Sequence, residues 1–233
     1  MKVRIKFSKL GYLKYIGHLD VMRAFQKVMR RAEIDICYSE GFSPHQKMSF
    51  ASPLGLGLTS EGEYVDIEVN STESSERMLE RLNEVMVEGM EALSYVQLPE
   101  NAKTAMAVVA ACDYMVNFDE EISEDFKIRF DKFLEEPSII VSRQTKKQVL
   151  ETDIKPLIYK KDWRRNDLFL QVSSGSVANL KPEQVLEAFF SHTGMDPESC
   201  PFHVHRLEMY ADLSKNPNKR KLVPLEGMGE VIA

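Results

Sequence analysis

The chain has 233 residues, 43% of them hydrophobic and 28% charged, an ordinary globular mix that suits one large domain or two of ordinary size. No apolar run approaches the roughly 20 residues of a membrane-spanning helix, and the first residues alternate instead of forming a signal-peptide block, so a cytoplasmic protein with no membrane partner is expected. The formal charge of −6 conceals an asymmetry: residues 1–50 hold 10 Lys and Arg against 4 Asp and Glu, residues 51–136 hold 6 against 20, and residues 137–233 hold 14 against 12. Positive charge is concentrated at the start, where it suits either an acidic partner or the chain's own acidic middle.

In chain order, Val3, Ile5 and Phe7 alternate with Lys2, Arg4 and Lys6, the period of a half-buried strand. His18 to Ala32 follows as an amphipathic helix, with Met22, Phe25, Met29 and Ala32 on one side and Arg23, Lys27, Arg30 and Arg31 on the other. A turn-rich loop, Cys37 to Lys47, leads to a strand near Met48–Ala51 and to turns at Pro53, Gly55 and Gly57. Glu63 to Val69 alternates as a third strand. A helix capped by Ser71 or Thr72 turns Met78, Leu82, Val85 and Met86 inward. Leu93–Leu98 supplies a fourth strand, and Pro99-Glu100-Asn101 marks a boundary. This β-α-β-β-α-β order is that of the ferredoxin-like unit.

The second half reads as a repeat of that order. Its elements are a strand at Val108–Phe118, a helix at Glu124–Leu134 with Phe126, Phe130 and Phe133 inward, and a strand starting at Ile139–Ser142. A strand at Leu168–Val172 follows, then a helix opened by Pro182 with Val185, Leu186, Phe189 and Phe190 as its apolar stripe, and a strand at Phe202–Tyr210. The expected fold class is therefore α+β: two tandem ferredoxin-like domains with antiparallel sheets, at residues 1–100 and 105–212. Residues 213–233, basic and without apolar periodicity, are expected to be a mobile tail.

An ordered series of motifs runs through the first half: Gly17-His18-Leu19-Asp20, Arg30-Arg31-Ala32, Tyr38-Ser39-Glu40-Gly41-Phe42-Ser43-Pro44-His45-Gln46-Lys47, Pro53-Leu54-Gly55-Leu56-Gly57 and Ser60-Glu61-Gly62-Glu63. The series resembles the radical-SAM-linked family, a domain of unknown function found alone or fused behind B12-binding radical-SAM proteins. The resemblance implies a radical-SAM enzyme as partner and fixes the protein's neighbourhood better than its role. In the second half only Asp153-Ile154-Lys155-Pro156-Leu157 and Asn179-Leu180-Lys181-Pro182 join it. The chain departs from the family pattern at Gly17, where the family has Ser, and at Gln46, where it has Pro. Losing the serine removes a side-chain helix cap. An iron–sulfur cluster of the chain's own would need three closely spaced thiolates, whereas Cys37, Cys112 and Cys200 stand far apart. Their odd number and spacing also exclude a disulfide framework and a tetrathiolate zinc site.

Candidate site residues gather in the first half. The loop Tyr38 to Lys47 brings Tyr38, Ser39, Glu40, Phe42, Ser43, His45 and Lys47 into one turn-rich segment, and loops of this kind bind or act. Phe42 reads either as a ring that stacks on a base or as a plug of the core, and Lys47 as a phosphate contact. Arg23, Lys27, Arg30 and Arg31 read as a track for a phosphate backbone with steep salt dependence, or as a plain solvated face. His18, Glu40 and His45 are candidate catalytic groups if they converge on one pocket; a structural hydrogen bond is the competing role for His18. In the second half Arg143, Lys146, Lys147, Lys155, Lys160, Lys161, Arg164 and Arg165 interleave with Tyr159 and Trp163, which suits single-stranded nucleic acid or a solvated hairpin anchored by one tryptophan. His203 and His205 share a strand face without a third ligand, and there is no Walker loop, dinucleotide fingerprint or nucleophile elbow, so neither metal nor cofactor is expected. Three functions remain: a radical-SAM-associated accessory protein that binds RNA in its modification or maturation, a metal-independent RNA-processing or RNA-modifying enzyme using His18, Glu40 and His45, and a protein-interaction module for a radical-SAM enzyme without nucleic acid.

Overall fold

The computed structural model describes residues 1–144, 149–176, 178–214 and 219–233. The elements begin with β1 (Lys2–Lys9), α1 (His18–Arg31), β2 (Met48–Phe50), β3 (Thr59–Glu68), α2 (Ser75–Asn83), β4 (Ala92–Leu98) and α3 (Ala105–Val108). There follow β5 (Val109–Phe118), α4 (Glu124–Glu135), β6 (Ile140–Gln144), β7 (Val149–Asp153), β8 (Ile158–Arg164), β9 (Asp167–Ser173) and α5 (Pro182–Thr193). The chain closes with β10 (Phe202–Asp212), β11 (Leu222–Pro224) and β12 (Glu230–Val231). It is a mixed α/β protein with a large, mostly antiparallel sheet and few helices. Two compact units form: Met1–Ala111 together with Arg206–Ala233, and Cys112–His205.

In the first unit the strand order is β12-β4-β1-β3-β10, with β2 also on β3 and β11 on β10. Strand β1 pairs antiparallel with β3, Ile5 opposite Val65, and with β4, Ile5 opposite Tyr95. Val3, Ile5 and Phe7 thereby face the helices and join Phe25, Met29, Met78 and Leu82 in one core. Phe7, Phe25 and Phe50 pack ring against ring, with centroids 4.5 to 6.1 Å apart, in the tilted and edge-on geometries that aromatic quadrupoles favour. At Gly62 an added Cβ would lie 2.6 Å from the Leu207 carbonyl, so only glycine lets β3 approach β10 this closely.

The other face of this sheet is also buried, and it is polar. Arg4 stands directly opposite Asp66 and is fully buried. Its Nε and Nη2 donate to the two Asp66 carboxylate oxygens at 2.7 and 2.9 Å, and its Nη1 donates to the Leu225 carbonyl at 3.1 Å. Next along β1, Lys6 donates to Glu208 at 2.7 Å and to Glu226 at 3.1 Å, and the Tyr64 hydroxyl donates to Glu208 at 2.6 Å. Burial, followed by the charge of Glu208, pushes the Tyr64 pKa well above the ordinary phenol value. Burial alone would lower the Lys6 pKa, but the hydrogen bonds and charges of Glu208 and Glu226 outweigh it and raise it.

The segment that closes over this face corrects the expectation of a mobile tail. Strand β11 pairs with β10, β12 pairs with β4, Leu225 is fully buried, and the Ile232 and Ser75 backbones and the Ser75 hydroxyl are hydrogen-bonded at 2.9 Å. Leu222, Val223, Leu225 and Ile232 are spaced too irregularly to show a period, which is why the sequence concealed them; Lys215 lies outside the described residues. The cap of α2 also differs from expectation. Ser74 accepts from the Arg77 amide at 3.3 Å, while Ser71 donates to Asp35 and Thr72 is bonded to the Tyr95 hydroxyl.

In the second unit the order is β10-β5-β9-β8, and β6 and β7 form a separate two-stranded sheet. The stretch between Ile139 and Leu168, expected mainly as a long connection, thus supplies β7 and β8 as well as β6. Phe126 and Phe130 of α4 meet Phe189 of α5 at 5.1 Å, which builds an aromatic core. Asp66→Ala, which leaves the Arg4 guanidinium buried without its carboxylate, is expected to cost about 3–5 kcal/mol in urea unfolding. Exposed Arg77→Ala should change little by the same measurement, and a D66A loss as small as that of R77A would contradict the role given to the pair.

Candidate nucleic-acid interface

Helix α1 is split cleanly into two faces. Val21, Phe25, Val28 and Met29 are buried, while Leu19, Asp20, Arg23, Lys27, Arg30 and Arg31 are exposed. The spacing of these outer residues, three and four apart, sets them in one row. Arg23 meets Asp20 at 3.2 Å, an exposed pair of little strength. Among the described residues Lys27, Arg30 and Arg31 have no carboxylate partner. Gly17 provides no side-chain cap, as the absent serine implies, and the last carbonyls of the helical segment, Ala32 and Glu33, are met by the Arg81 guanidinium at 2.6 to 3.1 Å.

The Tyr38–Lys47 segment is a short hairpin-like projection. Tyr38 bridges Gln46, the Ser39 amide donates to the His45 carbonyl at 2.8 Å, and the Lys47 amide donates to the Cys37 carbonyl at 2.9 Å. The Ser39 hydroxyl is bonded to His45 Nδ1 at 2.8 Å and accepts from the His45 amide at 3.0 Å. Gly41 takes φ +107°, a conformation that favours glycine, and sets Glu40, Phe42 and Ser43 at an exposed tip. Phe42 is fully exposed, so it is not a plug of the core. Buried Gln46 reaches the Gln26 carbonyl of α1 at 3.5 Å, and its Oε1 has no hydrogen-bond partner among the described residues.

Several sequence-stated candidates sit elsewhere than a shared site requires. His18 packs edge-on against Phe50 with centroids 5.4 Å apart, beside a cavity of about 20 Å³ that has room for little more than water. His45 is instead bonded to Ser39 within the projecting hairpin. Lys47 is held by Glu68 at 2.8 Å rather than standing free for a phosphate. In the second unit Trp163 packs against Phe118, Phe126 and Phe130 and donates to Asp131 at 3.0 Å, with Lys161 on the same carboxylate at 2.6 Å. This is the anchoring role. Lys146 and Lys147 lie outside the described residues.

One feature escaped the sequence reading. A 3-10 turn over Gly11–Tyr15 precedes α1 and carries Tyr12, 90% exposed, and Tyr15, 66% exposed. With three residues per turn, this spacing puts both rings on one side. Lys14 Nζ lies 5.2 Å from the Tyr15 ring, a cation–π contact. The Gly57 amide donates to the Lys14 carbonyl at 2.8 Å and holds the Pro53–Gly57 loop beside this turn, with Leu56 exposed. The available signal was the Tyr12, Lys14, Tyr15 spacing itself.

The family described as "Uncharacterized protein conserved in bacteria (DUF2344)" matches residues 2–182, a span that holds the turn, α1 and the projecting hairpin. The chain belongs to the DUF2344 family. No curated protein matches this DUF2344 chain. Among solved structures, a chain of the crystal structure of a Cbf5-Nop10-Gar1 complex is similar, with a TM-score of 0.47 and 11% identity, over 89% of this chain and 48% of that one. The chain thus spans about half the length of that structure. No described helix is long and apolar enough to cross a membrane.

The Lys47–Glu68 pair has a definite pH signature. The hydrogen bond from Lys47, aided by its charge, holds the Glu68 carboxyl below its ordinary range, and the same bond raises Lys47. The contribution of Glu68 to stability is therefore present above its unfolded-state pKa and fades as pH falls through the lower folded value. That of Lys47 is present below its unfolded-state pKa and fades as pH rises through the raised one. In Lys47→Ala the Glu68 carboxyl is expected to titrate at a higher pH, followed by carboxyl-carbon NMR; an unmoved midpoint would contradict the pairing.

Proposed function

We propose that this DUF2344 chain binds single-stranded RNA on the first unit, along the Gly11–Tyr15 turn and the outward row of α1, as an accessory to RNA modification or maturation beside a radical-SAM enzyme. The observation that carries the reading is the row Lys27, Arg30 and Arg31, exposed and with no carboxylate partner among the described residues, on the helix that follows the exposed rings of Tyr12 and Tyr15. Cations track phosphates and rings stack on unpaired bases; this combination suits a single strand better than a duplex, whose bases are already stacked. The projecting hairpin adds Tyr38, Ser39, Phe42, Ser43 and His45 as further contacts, with Arg23 at the start of the row. Arg4 and Lys6 are excluded as contacts because their charges are buried against carboxylates. The radical-SAM partner rests on the ordered motifs between Gly17 and Glu63 and on nothing else. We also read the orders β4-β1-β3-β2 and β10-β5-β9-β8 as two βαββαβ, ferredoxin-like units, the second with β6 and β7 inserted.

Reversing two cations tests the surface. Arg30→Glu with Arg31→Glu is expected to weaken binding of a fluorescein-labelled single-stranded RNA by about tenfold or more. It should also flatten the plot of log affinity against log salt by about 1.4, or about 0.7 for each lost phosphate contact. Equal affinity in the reversed variant would dispose of the proposal. Tyr12→Ala with Tyr15→Ala carries a different signature. Stacking is worth ~1–3 kcal/mol per base, so single-stranded affinity should fall several-fold or more while any binding to duplex RNA of the same sequence is unchanged. An equal loss for both forms would contradict the stacking role.

A further inference from the structure

We infer that the second unit carries a groove that takes an extended, basic peptide of a partner protein as an added strand on β6. A cavity of about 1180 Å³ lies between β6 and α5, larger than most small-molecule pockets, which run from ~300 to ~1,000 Å³. It is lined by five consecutive residues, Ser138 to Ser142, the last three of them in β6. Successive side chains of a strand point to opposite faces, so three strand residues in a row can border one cavity only if the strand presents its edge. That edge is unpaired: β6 bonds only to β7 among the described residues.

The register identifies which groups the edge offers. The Ile154 amide donates to the Ile139 carbonyl at 2.8 Å, and in an antiparallel pair bonded and non-bonded residues alternate. Ile140 and Ser142 therefore direct their N–H and C=O away from β7, into the groove. The opposite wall is one face of α5: Gln184, Glu187, Ala188 and Ser191 line it at helical spacing. Small Ala188 leaves depth there, and Ile140, 54% exposed, offers an uncovered apolar side chain. A strand edge facing a helix across an open groove is the arrangement by which extended peptides are captured, with main-chain bonds for affinity and alternate side chains for specificity.

Charge selects the occupant. Glu136, Glu183 and Glu187 line the groove against Lys181 and His192. The acidic excess favours Lys or Arg at alternate peptide positions and disfavours a polyanion, so this site is independent of the RNA reading of the first unit.

The experiment pans a library of random peptides of about ten residues, displayed on phage, against the full chain, and remeasures the recovered peptides by fluorescence anisotropy. Peptides alternating Lys or Arg with β-branched residues should be recovered, and their binding should protect the Ile140 and Ser142 amides from hydrogen exchange. Ser142→Pro removes one edge donor that β7 does not use, a position where proline is tolerated, and should weaken binding about tenfold or more, the worth of one lost hydrogen bond in a desolvated groove. Ala188→Glu, on the helix wall, should weaken it similarly by filling the groove, which guards against misfolding of the proline variant. Recovery of no peptide, recovery of acidic peptides, or equal binding by both variants would overturn the proposal. A concentration-dependent dimer abolished by S142P, seen by sedimentation, would also overturn it, because the edge would then be covered by a second copy of this chain.

Discussion

A buried guanidinium on the first strand governs the first unit. Arg4 has no access to water, so its charge must be met inside the protein, and Asp66, two strand positions from the centre of β3, meets it with two parallel bonds. One carboxylate does not complete the set, and the Leu225 carbonyl supplies a further acceptor from the far end of the chain. Lys6 repeats the arrangement with Glu208 and Glu226. Replacing such pairs with apolar side chains is often neutral, but leaving one charge alone in the interior costs several kcal/mol. Residues 206–212 and 219–233 therefore complete the first unit: without them Lys6 would lose both of its carboxylates and Arg4, still paired with Asp66, would lose the Leu225 carbonyl.

The same network divides the cations of the basic N-terminal fifth into two groups. Arg4 and Lys6 of β1 are neutralised by the chain's own carboxylates, the bland alternative for this segment, while Lys2 and Lys9 donate to backbone carbonyls. The cations of α1 lie on the other side of the hydrophobic core, where Asp20 pairs with Arg23. Lys47 belongs with the neutralised group, bound to Glu68. The helix row, the aromatic turn and the tip of the projecting hairpin are each exposed rather than enclosed. An open surface of that kind suits an extended polymer better than a small substrate.

How much of this was readable beforehand depended on period. Helix α1 was legible because fourteen residues keep a 3.6-residue rhythm, and the alternation of β1 set Arg4 and Lys6 on one face. Tyr12 and Tyr15 were missed because five residues of 3-10 turn are too few to show any period. The closing strands were missed for a related reason: β11 and β12 have three and two residues, and their apolar side chains are separated by Gly227 and Gly229. Phe42 and Trp163 were ambiguous in sequence because an aromatic in a polar stretch either plugs or projects. Their surroundings decide: Trp163 has three aromatic neighbours and an acceptor for its N–H, and Phe42 has open water.

The central claim is that unpaired bases stack on the turn before α1 while phosphates follow its outer row. Photo-cross-linking of the full chain to a uridine-rich oligonucleotide, with the linked residues identified by mass spectrometry, tests this most directly. The account predicts cross-links at Tyr12 and Tyr15, with Phe42 as a further site, that are lost at high salt. Cross-links confined to the second unit, at Tyr159 or Trp163, or none at all, would contradict it.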